Sequence, residues 1–164
     1  MPNSRPPFDH LQRTLDQYAA LGYPAYRWVY NEDTPPWAPV SKALADSKVG
    51  LVASGGIYPH GQIAFHHRDD ISLRMIRAAV PKEDLRATHF AYDLTDARRD
   101  PNVVFPRDTL NTLADGGVIG VVSDMAYTFM GGIYSSRKVR DIMAPEITRR
   151  MQADEVDLAI LVPV

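Results

Sequence analysis

The segment Val156-Asp157-Leu158-Ala159-Ile160-Leu161-Val162-Pro163-Val164 decides how the rest of the chain is interpreted. Its run of apolar residues predicts a buried strand. A second apolar run, residues 48–54 (KVGLVAS), is followed by Gly55 and Gly56, which is typical of a buried parallel strand that ends in a tight loop. In a parallel α/β sheet, chemistry concentrates in the crevice outside the carboxyl ends of the strands. We therefore expect functional residues near the tips of these two strands.

Composition narrows the class of protein. The 164 residues have a formal net charge of −2, which gives no global basic field for nucleic acid or anionic lipid. There is no apolar run of about 20 residues, so no transmembrane helix is predicted, and the first residues lack the apolar core of a signal peptide. A cytoplasmic location is therefore expected. The chain contains no cysteine, which excludes disulfides, cysteine-ligated metals and thiol catalysis by these residues.

Strand and helix patterns alternate after residue 47. Further strands are predicted at residues 85–91 and 118–123, and helices at residues 71–79, 106–115 and 139–153, the last interrupted by Pro145. This order predicts one α/β domain at residues 48–164. We expect a parallel, flavodoxin-like or Rossmann-like sheet of about four strands with flanking helices.

Residues 1–47 are predicted to form an N-terminal arm. A helix is expected over residues 8–21, ended by Gly22. Aromatic side chains then alternate with prolines, at Tyr23, Tyr26, Trp28, Tyr30 and Trp37. Such a segment lies over a surface without joining a sheet. Two interpretations stay open: the arm packs on its own domain or on a second subunit of a homodimer, or it is a lid or a strip that binds a partner.

Three loops follow predicted strands and carry the candidate site residues. The glycine loop after residue 54 has neither GxGxxG nor GxxxxGK[ST], so a nucleotide site is not expected. A pocket for a small-molecule substrate is predicted instead, and His89 is its candidate acid–base group. Turn caps and plain core residues are the alternative interpretation of the same loops. The candidate substrate-binding residues are Ser54, Gly55, Gly56, His89, Asp93, Tyr127, Phe129 and Met130.

The densest set of possible metal ligands is His60, His66, His67, Asp69 and Asp70. Their spacing fits no ligand motif, and adjacent histidines point to opposite sides of an extended chain. The preferred interpretation is a solvated loop that leads into a helix, with an acidic residue as its N-cap, and no metal site is predicted.

An ordered series of short motifs resembles one known family. The matching residues are Tyr92-Asp93, Asp100-Pro101-Asn102, Pro106-Arg107-Asp108-Thr109-Leu110, Gly117-Val118-Ile119-Gly120, Tyr127-Thr128-Phe129-Met130-Gly131, Ala144-Pro145-Glu146-Ile147 and Val156-Asp157, with residues 48–56 before them. The series resembles the selenoprotein B component of the glycine, sarcosine and betaine reductases, with their D-proline reductase relatives. The match is closest to short, stand-alone members.

The resemblance implies a reductive cleavage of a C–N bond in a small amino acid or related compound. In the family a selenocysteine or cysteine follows the equivalent of Val164, so we expect the TGA triplet after the Val164 codon and regard the domain as truncated there. Residues 1–164 would then be redox-inert, with no cofactor of their own, and a redox partner subunit is expected. The family's pyruvoyl group resides on a separate component.

Two other classes of function remain. The chain is a non-catalytic binding or assembly module if no codon for a redox residue follows Val164. It is a metal-dependent hydrolase or lyase if the histidine and aspartate set above binds a metal.

Overall fold

A computed structural model of the protein describes residues 9–25, 27 and 29–164. Contacts between residues group the chain into two units, Met1–Pro36 and Trp37–Val164. In the first unit, helix α1 (His10–Ala20) begins where the Asp9 carboxylate accepts a hydrogen bond from the Gln12 amide at 2.9 Å. None of its residues is buried. The predicted helix over residues 8–21 is thus confirmed over the described positions, whereas Phe8, Tyr26 and Trp28 lie outside them.

The second unit contains the sheet. Its strands are β1 (Lys48–Ala53), β2 (Ile57–Pro59), β3 (Arg74–Arg77), β4 (Leu85–Ala87), β5 (Val121–Val122), β6 (Met125–Thr128) and β7 (Leu158–Val162). Its helices are α2 (Thr95–Arg99), α3 (Arg107–Asp115), α4 (Ser136–Lys138) and α5 (Ala144–Ala153). A π-helical turn, Val139–Met143, joins α4 to α5.

Strand β1 is the centre of the main sheet. On one side it pairs in parallel with β7, from Val49 opposite Leu158 to Ala53 opposite Val162. On its other side β5 pairs with the start of β1 and β6 with its end, both in parallel. Strand β3 pairs with β6 in the antiparallel direction. The predicted α/β class, with a mainly parallel sheet of about four strands and flanking helices, is confirmed.

Each face of the sheet has its own core. On one face, Leu51 and Ala53 pack with Phe105 and with Leu110 of α3. On the other face, Val52 and Tyr127 pack with Met151 of α5. Both faces of β1 are therefore covered, which explains its continuous apolar sequence.

Helix α5 follows from its sequence. Pro145 lacks the N–H that an uninterrupted α-helix needs, and it stands in the first turn of α5, where that N–H has no partner. In the π turn just before it, the backbone hydrogen bonds span five residues instead of four. Residues 136–153 therefore form one continuous helical run whose hydrogen-bonding pattern changes just before Pro145.

Three element predictions are wrong. Residues 71–79 contain strand β3 rather than a helix: Ile76 is fully buried against β6 while its neighbours Met75 and Arg77 are exposed. Only Leu85–Ala87 of the predicted second strand is extended, and it pairs antiparallel with β2 outside the main sheet. In the third, residues 118–123, the strand is confined to Val121–Val122, and the chain re-enters the sheet as β6, where a loop was expected. Long-range pairing outweighs the local apolar pattern in each case.

Gly56 gives a test of this architecture. It has a φ of +67°, and a Cβ there would overlap the Thr88 carbonyl oxygen. Gly117 has a similar φ of +70° but open space around it. We expect Gly117→Ala to lower the free energy of unfolding by about 1–2 kcal/mol through backbone strain alone. Gly56→Ala should lower it clearly further in urea unfolding, and equal losses for the two variants would contradict the close approach.

Candidate functional site

The carboxyl ends of β1, β6 and β7 meet at one edge of the sheet. The Ser54 amide donates to the Val162 carbonyl at 3.0 Å, and the Gly131 amide donates to the Ser54 carbonyl at 3.1 Å. Gly55 forms an isolated antiparallel bridge with Met130. The structure therefore brings the glycine loop, the end of β6 and the end of β7 together, as the sequence predicts for parallel strands.

Ser54 fixes the tip of the last strand. Its Oγ accepts a hydrogen bond from the Val164 amide at 2.9 Å and lies 3.5 Å from the Val162 carbonyl oxygen. The Ser54 side chain is largely buried. A hydroxyl can accept and donate at once, so one side chain serves both backbone groups.

A groove opens beside this tip. It has a volume of about 610 Å³, within the range of small-molecule sites. It is formed by the ends of β1 and β7, the segment after β6, and the helical segment that begins α5. None of its lining side chains is formally charged. They are Val52, Ser54, Phe129, Gly131, Val139, Met143, Ala144, Ile147, Thr148, Leu161, Val162, Pro163 and Val164.

His89 lies on the other side of β1. Its neighbour Tyr92 packs in the core on the α3 side and donates a hydrogen bond to the Gly55 carbonyl at 2.7 Å. The groove residue Phe129 belongs to the core on the α5 side. The structure thus brings Ser54 and Phe129 to the groove and places His89 across the sheet from them.

The His89 ring is buried and neutral. The Ala91 amide donates to Nδ1 at 3.0 Å, so the proton of the neutral ring is on Nε2. Among the residues that the structure describes, Nε2 has no hydrogen-bond partner. Burial lowers the pKa of His89 below its ordinary value. The imidazole packs at 4.8 Å from the Tyr92 ring and stacks on Phe90.

The remaining candidates have structural partners. Asp93 is exposed and accepts hydrogen bonds from the Thr95 amide at 2.9 Å and hydroxyl at 2.7 Å, which hold its pKa below the ordinary value. Tyr127 is buried and donates to the Asp154 carboxylate at 2.9 Å. Burial first, and then this bond, raise the pKa of Tyr127 to about 12. Met130 is fully buried. Gly56 lies so close to the Thr88 carbonyl oxygen that a Cβ at this position would overlap it.

The two aspartates of the histidine and aspartate loop accept hydrogen bonds from backbone amides. Asp70 accepts from the His66 and Ser72 amides at 2.8 and 2.9 Å, while Asp69 accepts from the Tyr134 amide at 2.7 Å. Within residues 9–25, 27 and 29–164, no three His, Asp or Glu side chains are grouped so as to hold a metal ion.

Sequence reasoning missed the helical wall of the groove. Val139, Met143 and Ile147 lie within the predicted helix over residues 139–153. All three border the groove, and Ile147 also packs on the core of the sheet. Their i, i+4 spacing predicts one face of a helix and carries no signal that part of the face is left open.

These features define a class: an α/β protein with an apolar groove at the tips of its parallel strands. The chain belongs to the glycine/sarcosine/betaine reductase selenoprotein B family, whose model matches residues 25–164. The family resemblance seen in the sequence is thereby confirmed. No solved structure gives a significant match.

Two relatives illustrate the similarity. The chain is 34% identical over 135 residues to D-proline reductase subunit gamma of Acetoanaerobium sticklandii. The aligned region covers 81% of this chain and 56% of the relative. It is 35% identical over 132 residues to glycine reductase complex component B subunit gamma of Symbiobacterium thermophilum, covering 77% and 30%. The chain therefore spans about half or less of the length of these relatives.

In the part of the chain that the structure describes, every helix is too short or too polar to cross a bilayer.

Ser54→Ala tests the anchor of the β7 tip. The variant loses the acceptor for the Val164 amide, so we expect the free energy of unfolding to fall by about 1 kcal/mol. Exchange of the Val164 amide hydrogen should accelerate. Thr148→Val is the matched control, because its hydroxyl lines the same groove but bonds only to Ala144 within its helix. Equal Val164 exchange in Ser54→Ala and the parent would contradict the anchor.

His89 predicts a pH dependence of stability. Since its folded pKa lies below the ordinary 6.5, the unfolded chain binds the proton more readily than the folded chain. The neutral ring's contribution is fully present above about pH 6.5 and is lost as the pH falls below it. The difference in unfolding free energy between the parent and His89→Gln should therefore shrink from pH 7.5 to pH 5. A difference that stays constant, or grows, would contradict burial of a neutral imidazole.

Proposed function

We propose that this chain is a component of a multi-component reductase that cleaves a C–N bond in a small amine-bearing compound. The description of the family names glycine, sarcosine and betaine reductases, and one relative is named as a D-proline reductase subunit. The observation in the structure that supports the proposal most directly is the groove at the tips of β1 and β7. It stands where parallel α/β sheets hold their ligands.

The redox group of the proposal is a selenolate or thiolate held just beyond Val164. The family description names a selenoprotein, and residues 1–164 contain no cysteine. A selenolate there would attack the substrate carbon as the C–N bond breaks, and a redox partner subunit would then reduce the adduct. Val164 lines the groove and is held by Ser54, so the next position along the chain would face the same space.

The residues of this chain would bind and shelter the substrate. Apolar groove walls that include Phe129 and Ile147 would shield the reacting carbon from water. Because no formally charged side chain lines the groove, the ammonium and carboxylate of an amino acid would need charges from another component. His89 lies across the sheet from the groove, so it does not serve as the acid–base group for a substrate held there.

The remaining parts of the proposal concern assembly. The relatives are named as subunits, which supports a partner subunit for this chain. A homodimer and a cytoplasmic location are further proposals.

A second candidate function is a non-catalytic assembly module. The observation that favours it is strand β7, where Leu161 is 68% exposed although the strand is apolar throughout. Such a module would retain the groove as a docking surface rather than as a reaction site.

Gene deletion in the organism that encodes the chain tests the reductase proposal. We expect the deletion to abolish reductive cleavage of one of four compounds: D-proline, glycine, sarcosine or betaine, measured by mass spectrometry. Complementation with Ala144→Trp should fail, because Ala144 is an exposed residue of the groove wall and indole would fill the groove. Ala153→Trp, an exposed residue of the same helix outside the groove, should restore cleavage.

Thermal unfolding of both variants is the control. Equal midpoint temperatures of the variants and the parent show that the loss of cleavage comes from the filled groove and not from a damaged fold. Unchanged cleavage of all four compounds in the deletion strain would overturn the reductase proposal and favour the assembly module. Full activity of Ala144→Trp would show that the groove is not the site.

A further inference from the structure

A buried imidazole closes the turn that follows β4. His89 is 6% exposed, and its Nδ1 accepts a hydrogen bond from the Ala91 amide at 3.0 Å. A side-chain acceptor two residues before the amide closes the backbone in the manner of an Asx turn. Among the described residues, the buried Nε2 of the same ring has no hydrogen-bond partner. Because a buried donor without a partner is unfavourable, this turn is closer to opening than a fully hydrogen-bonded one.

The same turn ties the chain to the tip of β1. The Tyr92 ring packs 4.8 Å from the imidazole, and its hydroxyl donates to the Gly55 carbonyl at 2.7 Å. Gly55 directly follows Ser54, whose hydroxyl accepts the Val164 amide. His89 is therefore connected to the tips of β1 and β7 through one phenol.

Protonation of His89 is incompatible with the closed turn. The neutral ring carries its proton on Nε2, so a second proton must enter at Nδ1, where it faces the Ala91 N–H. The charged ring would also hold two buried donors without acceptors. Phe90, which stacks on the ring, is 46% exposed, so one side chain separates that face of the imidazole from water. We therefore expect the charged ring to leave the turn for solvent.

The charges around the ring do not offset this conflict. Burial is the cause that lowers the pKa of His89, and no carboxylate acts on it. Tyr92 is the titratable side chain packed on the ring, and the charge of Arg98 on α2 acts on Tyr92. Asp93 is exposed and accepts hydrogen bonds within its own turn, while Gly56 approaches from the β1 side without a charge. The aromatic rings in contact with the imidazole attract a cation, but the lowered pKa shows that burial outweighs them.

We propose that His89 is a pH-sensitive latch on the tip of β1. With the ring neutral, the turn is closed and Tyr92 holds the Gly55 carbonyl. On protonation the ring leaves the turn and frees the Ala91 amide, and Tyr92 loses the surface on which it packs, so its hydroxyl releases Gly55. The folded pKa lies below the ordinary 6.5, so the latch is closed at pH 7.5 and opens progressively as the pH falls below about 6.5. The latch belongs to the fold, so it operates whether or not the reductase proposal is correct.

Amide hydrogen exchange tests the latch, read as protection factors, which correct for the intrinsic pH dependence of exchange. The Ala91 amide reports the imidazole, and the Gly56 amide, which donates to the Phe129 carbonyl at 3.1 Å, reports the tip of β1. From pH 7.5 to pH 5 both protection factors should fall at least about tenfold. The Ser123 amide donates to the Val49 carbonyl at the other end of β1 and should stay protected as the internal control.

Two variants separate the imidazole from the phenol. His89→Asn keeps a side-chain acceptor two residues before the Ala91 amide but does not titrate, so both reporters should become independent of pH. Tyr92→Phe removes the bond to Gly55. In this variant the Ala91 amide should still lose protection with falling pH, whereas the Gly56 amide should already be weakly protected at pH 7.5.

Three results would overturn the latch. A Gly56 protection factor that stays constant in the parent while that of Ala91 falls would show that the turn opens without reaching β1. Equal pH dependence in the parent and in His89→Asn would show that another group titrates. If a variant loses the protection of Ser123, its fold is damaged, and an NMR titration of the parent decides: an imidazole of the folded chain that titrates at or above about pH 6.5 contradicts the latch.

Discussion

The parallel pairing of β1 with β7 is the constraint on which the rest of the structure depends. It joins segments more than a hundred residues apart and is fixed at both ends. At the start, the Lys48 amide donates to the Asp157 carboxylate and the Asp157 amide donates to the Lys48 carbonyl, each at 2.9 Å. At the end, Ser54 holds Val162 and Val164. These contacts fix the register of the two strands. A slip by one residue would turn each side chain of β7 to the opposite face of the sheet.

This pairing also separates two chemical environments. On the α5 side the strand tips border an uncharged groove, and on the α3 side they border a buried imidazole. Gly55 marks the boundary, because a Cβ there would meet Val104 at 2.9 Å and Val164 at 3.4 Å. The strand tips therefore contribute to both environments, one on each face of the sheet.

Much of the site was accessible from sequence because the strand tips follow from topology. Ser54 and Phe129 were selected on the rule that parallel strands end together, and both line the groove. His89 was selected by the same rule, yet it lies across β1 from them, since the strand before it pairs with β2 outside the main sheet. Asp93 is a candidate substrate-binding residue in the sequence, but its carboxylate accepts the hydrogen bonds of Thr95. Loop chemistry does not specify on which face of a sheet a side chain stands.

The sequence by itself determined β1, β7, α3 and the irregularity of the last helical segment near Pro145, as well as the family. These elements carry strong local signals: long apolar runs, a glycine pair, and proline at a helix start. Only the tertiary structure decided that residues 71–79 form a strand, that Leu85–Ala87 leaves the main sheet, and that α5 leaves part of its apolar face open. The physical reason is that short segments have weak local preferences, so pairing and burial against distant residues determine their conformation.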